Sequence, residues 1–157
     1  MKPLRLIRWV AVLTVSLAAC HAPTGPSSLT IVNPSADDVL ARRAMWVAHA
    51  PPAYSYVLTE SGGFSAFAGR PFQLVVRNDT VEGVTFFDTH QLVPGPYTFW
   101  PTIDGLFDEA VSAAGGGQLT AISFDPLLGY PTRMNFIPRP DVTSWIEAAD
   151  LSSATPR

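Results

Sequence analysis

Pro101 to Pro131 reads PTIDGLFDEAVSAAGGGQLTAISFDPLLGYP, and the patterning of this stretch decides how the rest of the chain is read. Ile103, Leu106, Phe107, Ala110, Val111 and Ala114 recur at i, i+3, i+4, i+7, i+8 and i+11, the spacing of an amphipathic helix that buries one stripe. Thr102 offers a hydroxyl to its first turn, Asp104 and Asp108 sit where the helix dipole tolerates negative charge, and Gly115-Gly116-Gly117 ends it. Leu119 to Asp125 then reads as a strand with Ile122 and Phe124 on one face. The Asp125-Pro126-Leu127-Leu128-Gly129-Tyr130-Pro131 turn reverses the chain, and Met134 and Phe136 continue on the returning strand of a hairpin.

Upstream, Ser35-Ala36-Asp37-Asp38 supplies an N-cap with acidic residues in the first turn of a helix from Ala36 to about His49, closed by Pro51-Pro52. Trp46 is expected to dock that helix on the domain. Tyr54, Tyr56 and Leu58 alternate on one strand, and Phe72, Leu74 and Val76 on a second. Asn78-Asp79 favours a tight turn into a third, Val81 to about Asp88, with Gly83 at a bulge. Asp141 to Leu151 alternates as a last strand, although Trp145, Ala148 and Ala149 equally suit a helix face; the strand is favoured.

The expected fold is therefore α+β: an antiparallel sheet of about five or six strands with two helices on one face, in the order α-β-β-β-α-β-β-(β). Residues 35–151 form one domain, preceded by a flexible tether over 20–34 rich in Pro, Ser and Thr, and followed by a disordered tail over 152–157. The apolar patch Leu29 to Val32 inside the tether fits a small strand at a sheet edge.

Residues 1–19 follow a different rule. Lys2, Arg5 and Arg8 precede the apolar run Val10 to Ala19, a basic region before a segment too short to span a bilayer stably. The segment ends Leu17-Ala18-Ala19-Cys20, which resembles the lipobox of bacterial lipoproteins, and Cys20 is the single cysteine of the chain. That resemblance implies cleavage before Cys20, lipidation of its thiol, and a mature protein with no disulfide. An ordinary secretory peptide or a retained anchor is the plainer alternative.

Cleavage there removes three of the ten basic residues and none of the thirteen acidic ones, so the net charge moves from −3 to −6. Such acidity leaves no basic stripe for nucleic acid and no polybasic hold on anionic lipid. Membrane attachment would come from acylation alone, on the outer membrane facing the periplasm if the host is diderm.

Trp46 to Tyr56, Pro101-Thr102-Ile103-Asp104-x-Leu106-Phe107 and Phe124-Asp125-Pro126-x-x-Gly129-Tyr130-Pro131-Thr132 together resemble the bacterial lipoproteins catalogued as domain of unknown function 6174. The resemblance covers roughly Trp46 to Leu151. It implies a lipoprotein domain with no assigned activity and supplies no catalytic residues. Members commonly carry two cysteines after the tyrosine strand; Glu60-Ser61-Gly62-Gly63-Phe64 stands there instead.

No catalytic set, metal site or cofactor motif is expected. His21, His49 and His90 are too scattered for a ligand pair, and Gly115-Gly116-Gly117 follows a helix, so it cannot cradle phosphate at a helix N-terminus. Asp104, Asp108 and Glu109 could serve as an acid/base pair or a calcium contact, against the plainer reading of a solvated helix face. Candidate binding loops carry Phe64 and Phe67, then Tyr97, Phe99 and Trp100, then Asp125 and Tyr130, each weighed against a packing or turn role. The expected function is a non-enzymatic, lipid-anchored envelope domain that binds another protein or an envelope component. The alternative is a small-ligand carrier or inhibitor with a pocket on the sheet face. A hydrolase using Asp104, Asp108 or His90 ranks last.

Overall fold

The computed structural model describes residues 28–62, 68–137 and 145–153. In chain order they form β1 (Leu29–Val32), α1 (Ala36–His49), β2 (Ala53–Ser61), β3 (Pro71–Arg77), β4 (Thr80–Phe86), α2 (Ile103–Gly115), β5 (Leu119–Phe124), β6 (Pro131–Phe136) and β7 (Trp145–Ser153). The seven strands make one antiparallel sheet in the order β1-β5-β6-β7-β2-β3-β4.

The α+β class stands, but the sheet is larger than about five or six strands, and the first described element is a strand rather than a helix. Two strands account for this. Leu29–Val32 pairs with β5 as an edge, and the last strand does not extend the sheet outward but enters its middle, between β6 and β2. The sheet thus takes in residues on both sides of 35–151, since β7 runs on to Ser153. Residues 1–27, with the lipobox reading and Cys20, lie outside the described residues, as do 154–157.

Local chemistry explains the helices. Ser35 caps α1 through a reciprocal box: the Asp38 N–H donates to Ser35 Oγ at 3.2 Å and the Ser35 N–H to Asp38 Oδ2 at 2.9 Å. Thr102 Oγ1 accepts from the Gly105 N–H at 3.1 Å and starts α2. Between β3 and β4, Asn78 and Asp79 take left-handed φ of 47° and 55°, the signature of a two-residue hairpin turn. Glu82 bulges out of β4 next to Gly83. The strand ends at Phe86, short of Asp88, because the chain turns back and Gln91 to Val93 pairs alongside it.

Both helices lie on one face of the sheet and against each other. Trp46 of α1 meets Tyr54 edge-on at 5.4 Å between centroids, and Phe107 of α2 stacks on Phe124 at 6.4 Å. Trp46, Tyr56, Phe107, Phe124, Leu58 and Leu74 are fully buried there, each worth about 1.5–3 kcal/mol of transfer free energy. Among the described residues, no helix lies on the other face.

Candidate functional site

Three stretches far apart in the chain, around Trp46, Pro101 and Gly129, meet at one place in the fold. The neighbouring tyrosines of β2 grip the start of α2: the Ile103 N–H donates to Tyr54 OH at 3.1 Å, and Tyr56 OH donates to the Pro101 carbonyl. One residue on, Asp104 accepts from both parts of α1. Its Oδ2 takes the Trp46 indole N–H at 3.1 Å, and its Oδ1 takes Arg43 Nε and Nη2, both at 3.3 Å. Arg43 Nη1 reaches Asp108 Oδ1 at 2.7 Å.

The β5–β6 turn closes the cluster from the third side. Tyr130 packs on Trp46 at 6.0 Å, and Gly129, at φ +79°, lies so close to α1 that a Cβ there would stand 2.9 Å from Met45 Cβ and 3.0 Å from the Arg42 carbonyl. Only glycine fits both the left-handed backbone and that approach. Asp125 holds the turn itself, its Oδ1 accepting from the Leu127 and Leu128 amides at 2.9 and 2.6 Å.

The electrostatics suit anchoring. Burial pushes the Tyr54 hydroxyl up to about 12 and Tyr56 well above its ordinary value, so both stay protonated donors or acceptors at any physiological pH. Burial alone would lower Arg43, but Asp108 and Asp104 outweigh it and hold the guanidinium charged. Asp104 and Asp108 therefore already have a cation and an indole as partners; they are not an open carboxylate pair. A different pair is perturbed. Glu60, at the end of β2, and Glu109 on α2 both reach solvent, yet desolvation by their surroundings raises both carboxyls, and the Glu60 charge raises Glu109 further. Both strand register and helix phase put them on the helix-bearing side, a juxtaposition that no local pattern reveals.

The aromatic loop residues separate. Tyr97 is half-buried with its hydroxyl donating to the Val93 carbonyl at 2.8 Å, and Trp100 is half-buried against Phe72 at 4.7 Å. Phe99 beside it is 88% exposed. Tyr130 is buried, and Phe64 and Phe67 lie outside the described residues. Among those described, no group of three or more His, Cys, Asp or Glu is placed to hold a metal. His49 Nδ1 pairs with the Met45 carbonyl at 2.8 Å, and His90 is exposed in the turn after β4.

The face opposite the helices is helix-free among the described residues, and sequence reading missed its centre. Arg133 of β6 lies over the Trp145 ring of β7 at 4.7 Å, donates to Glu147 Oε2 at 3.1 Å and to Asn135 Oδ1 at 3.3 Å. The cross-strand pairs Arg133–Glu147 and Asn135–Trp145 set this up. The signal was present as Arg133 and Asn135 alternating with Met134, and Trp145 and Glu147 with Ile146, but it needs the β6–β7 pairing to become a patch. Among the described residues, no helix is long and apolar enough to cross a membrane.

No curated protein and no solved structure matches the chain. A family model does match, over residues 38–143, from the first turn of α1 to just short of β7, so that it takes in Trp46, Tyr54, Pro101, Asp104, Gly129 and Tyr130 and leaves out β1 and β7. The chain belongs to that family, described as a family of unknown function and designated DUF6174.

Proposed function

We propose that the protein is a lipid-anchored domain of the bacterial cell envelope that binds another envelope component without catalysing a reaction. The observation that carries this reading is the commitment of the polar residues where α1, β2 and the start of α2 meet. Tyr54 and Tyr56 spend their hydrogen bonds in tying the start of α2 to the sheet, and Asp104 and Arg43 spend theirs in tying α1 to α2. A motif whose polar atoms are consumed by packing preserves a scaffold, and a scaffold presents surfaces. The surface favoured here is the helix-free face around Trp145, Arg133 and Glu147, where a half-exposed indole stands among hydrogen-bonding side chains, the composition of a binding patch. The anchor rests on the Leu17-Ala18-Ala19-Cys20 pattern.

Two arms test the reading. Wild type and Cys20→Ser, expressed in a bacterium, are fractionated and weighed intact; a lipid-sized mass on membrane-bound wild type alone supports the anchor, and two soluble forms of equal modification sink it. A photo-reactive residue at Gln73 or Thr59, on the helix-free face, should give one discrete cross-linked species in cells, and the same probe at Val47 on α1 should not. Equal, diffuse labelling from both faces would remove the assignment of the surface.

A further inference from the structure

The two edges of the sheet are finished differently. On β4 the edge is closed. The Val93 N–H donates to the Val84 carbonyl at 2.8 Å and the Phe86 N–H to the Gln91 carbonyl at 2.9 Å, while the Glu82 bulge, tied to Arg77 at 3.0 Å, breaks the remaining half. These are the usual devices that keep an edge strand from pairing further. Among the described residues β1 has none of them: Leu29-Thr30-Ile31-Val32 contains no charge, no proline and no register shift against β5.

Register identifies the groups left over. The Asn33 N–H donates to the Thr120 carbonyl at 2.8 Å, in phase with the Ile31–Ile122 and Leu29–Phe124 pairs. Since alternate residues of an antiparallel strand bond to the same neighbour, Leu29 and Ile31 face β5. The N–H and C=O of Thr30 and Val32 face away from it. Val32 is also 70% exposed. Among the described residues β1 pairs with β5 alone and ends the sheet on this side.

We propose that the outer edge of β1 is a self-association site, at which a second copy of this chain adds its own β1 antiparallel about a two-fold axis through Ile31. Thr30 of each copy then exchanges both backbone bonds with Val32 of the other, and the Ile31 side chains meet across the axis. The parity keeps both pairs of helices on one side of a continuous sheet. Charge favours this direction: the acidic turn Asp37-Asp38 lies beyond the Asn33 end, and antiparallel pairing sets it beside the partner's uncharged Ser28 end rather than beside its own copy. Four residues of edge bury far less than the roughly 800 Å² per partner of a stable interface, so the dimer is weak in free solution and forms at about 0.1–1 mM.

Sedimentation equilibrium of the full chain from about 10 μM to about 1 mM, with amide exchange followed at both ends of that range, is the test. The expected result is a monomer–dimer equilibrium in which exchange at Thr30 and Val32 slows with concentration, while Ile31, bonded to β5, does not change. Val32→Pro removes an outward N–H only, and should weaken association at least tenfold with the thermal midpoint unchanged. Should that variant lose stability, the concentration dependence of the Thr30 and Val32 amides in the wild type still decides. A monomer throughout, or a dimer in which those two amides exchange as in the monomer, overturns the proposal.

Discussion

The indole N–H of Trp46 and the Asp104 carboxylate, 58 residues apart, meet at 3.1 Å and tie the first helix to the first turn of the second. Trp46 is fully buried, so removing its acceptor leaves a donor with no partner. Asp104→Ala should therefore cost about 2–3 kcal/mol in chemical denaturation. Asp108→Ala, which loses a bond to Arg43 from a largely exposed side chain, should cost about 0–1 kcal/mol. Equal losses from the two would mean that Arg43, and not the indole, is the partner that matters.

Gly129 and Gly117 both have positive φ, +79° and +66°, but a Cβ at Gly117 meets open space. Gly117→Ala should lose about 1 kcal/mol from backbone strain alone. Gly129→Ala must also push the turn away from Met45 and Arg42, and should lose about 3 kcal/mol or more. Thermal unfolding of the two variants side by side checks the difference.

Tyr54 and Tyr56 set an alkaline limit. Their folded hydroxyls hold the proton more tightly than in the unfolded chain, chiefly through burial, so the stability they contribute is complete below the unfolded tyrosine value of about 10 and is lost as pH rises toward the folded values. Unfolding should set in above about pH 10, with the tyrosinate absorbance of these two residues appearing together with loss of structure. Tyr56→Phe should weaken the domain by about 1 kcal/mol through the lost bond to Pro101.

Glu60 and Glu109 act in the same sense at lower pH. Desolvation raises both, so protons bind the folded form better, and stability falls as pH rises from the ordinary glutamate value through the raised ones. Glu109→Gln should raise the midpoint slightly at pH 7, by a few tenths of a kcal/mol once screening of these solvent-reaching groups is counted, and by nothing below about pH 4. A destabilised Glu109→Gln at pH 7 would contradict the assignment.

β7 pairs with β6 on one side and β2 on the other, so the last described strand joins two halves of the sheet that no other described strand connects. A chain ending at residue 144 should lose cooperative unfolding and near-ultraviolet circular dichroism. Retention of a single sharp transition would show that the halves hold through the helices alone.

Both helices were legible because their caps and stripes are local: Ser35 with Asp38, and Thr102 with Ile103, Leu106, Phe107 and Ala110, need no tertiary knowledge. So were the β3–β4 turn at Asn78-Asp79 and the β5–β6 reversal. The sheet order was not, because alternation in Ile146 and Ala148 states which face is buried and is silent on which strands lie alongside. The same limit hid the role of Asp104, whose place on the polar side of a helix reads as solvated until Arg43 and Trp46 arrive from a segment about sixty residues away. Tyr130 and Trp100 read equally as lips or as packing; only their neighbours, Trp46 and Phe72, separate the two.

The central claim is that Trp46, Tyr54, Tyr56, Asp104 and Tyr130 form one packed cluster that builds the scaffold. A double-mutant cycle between Trp46→Phe and Asp104→Ala, read by urea denaturation, tests it most directly. The two changes remove the same hydrogen bond, so the cycle should give a coupling of about 1–2 kcal/mol, with each single variant destabilised. A coupling near zero, with both variants as stable as the wild type, would contradict the claim and return Asp104 to the list of residues free to do chemistry.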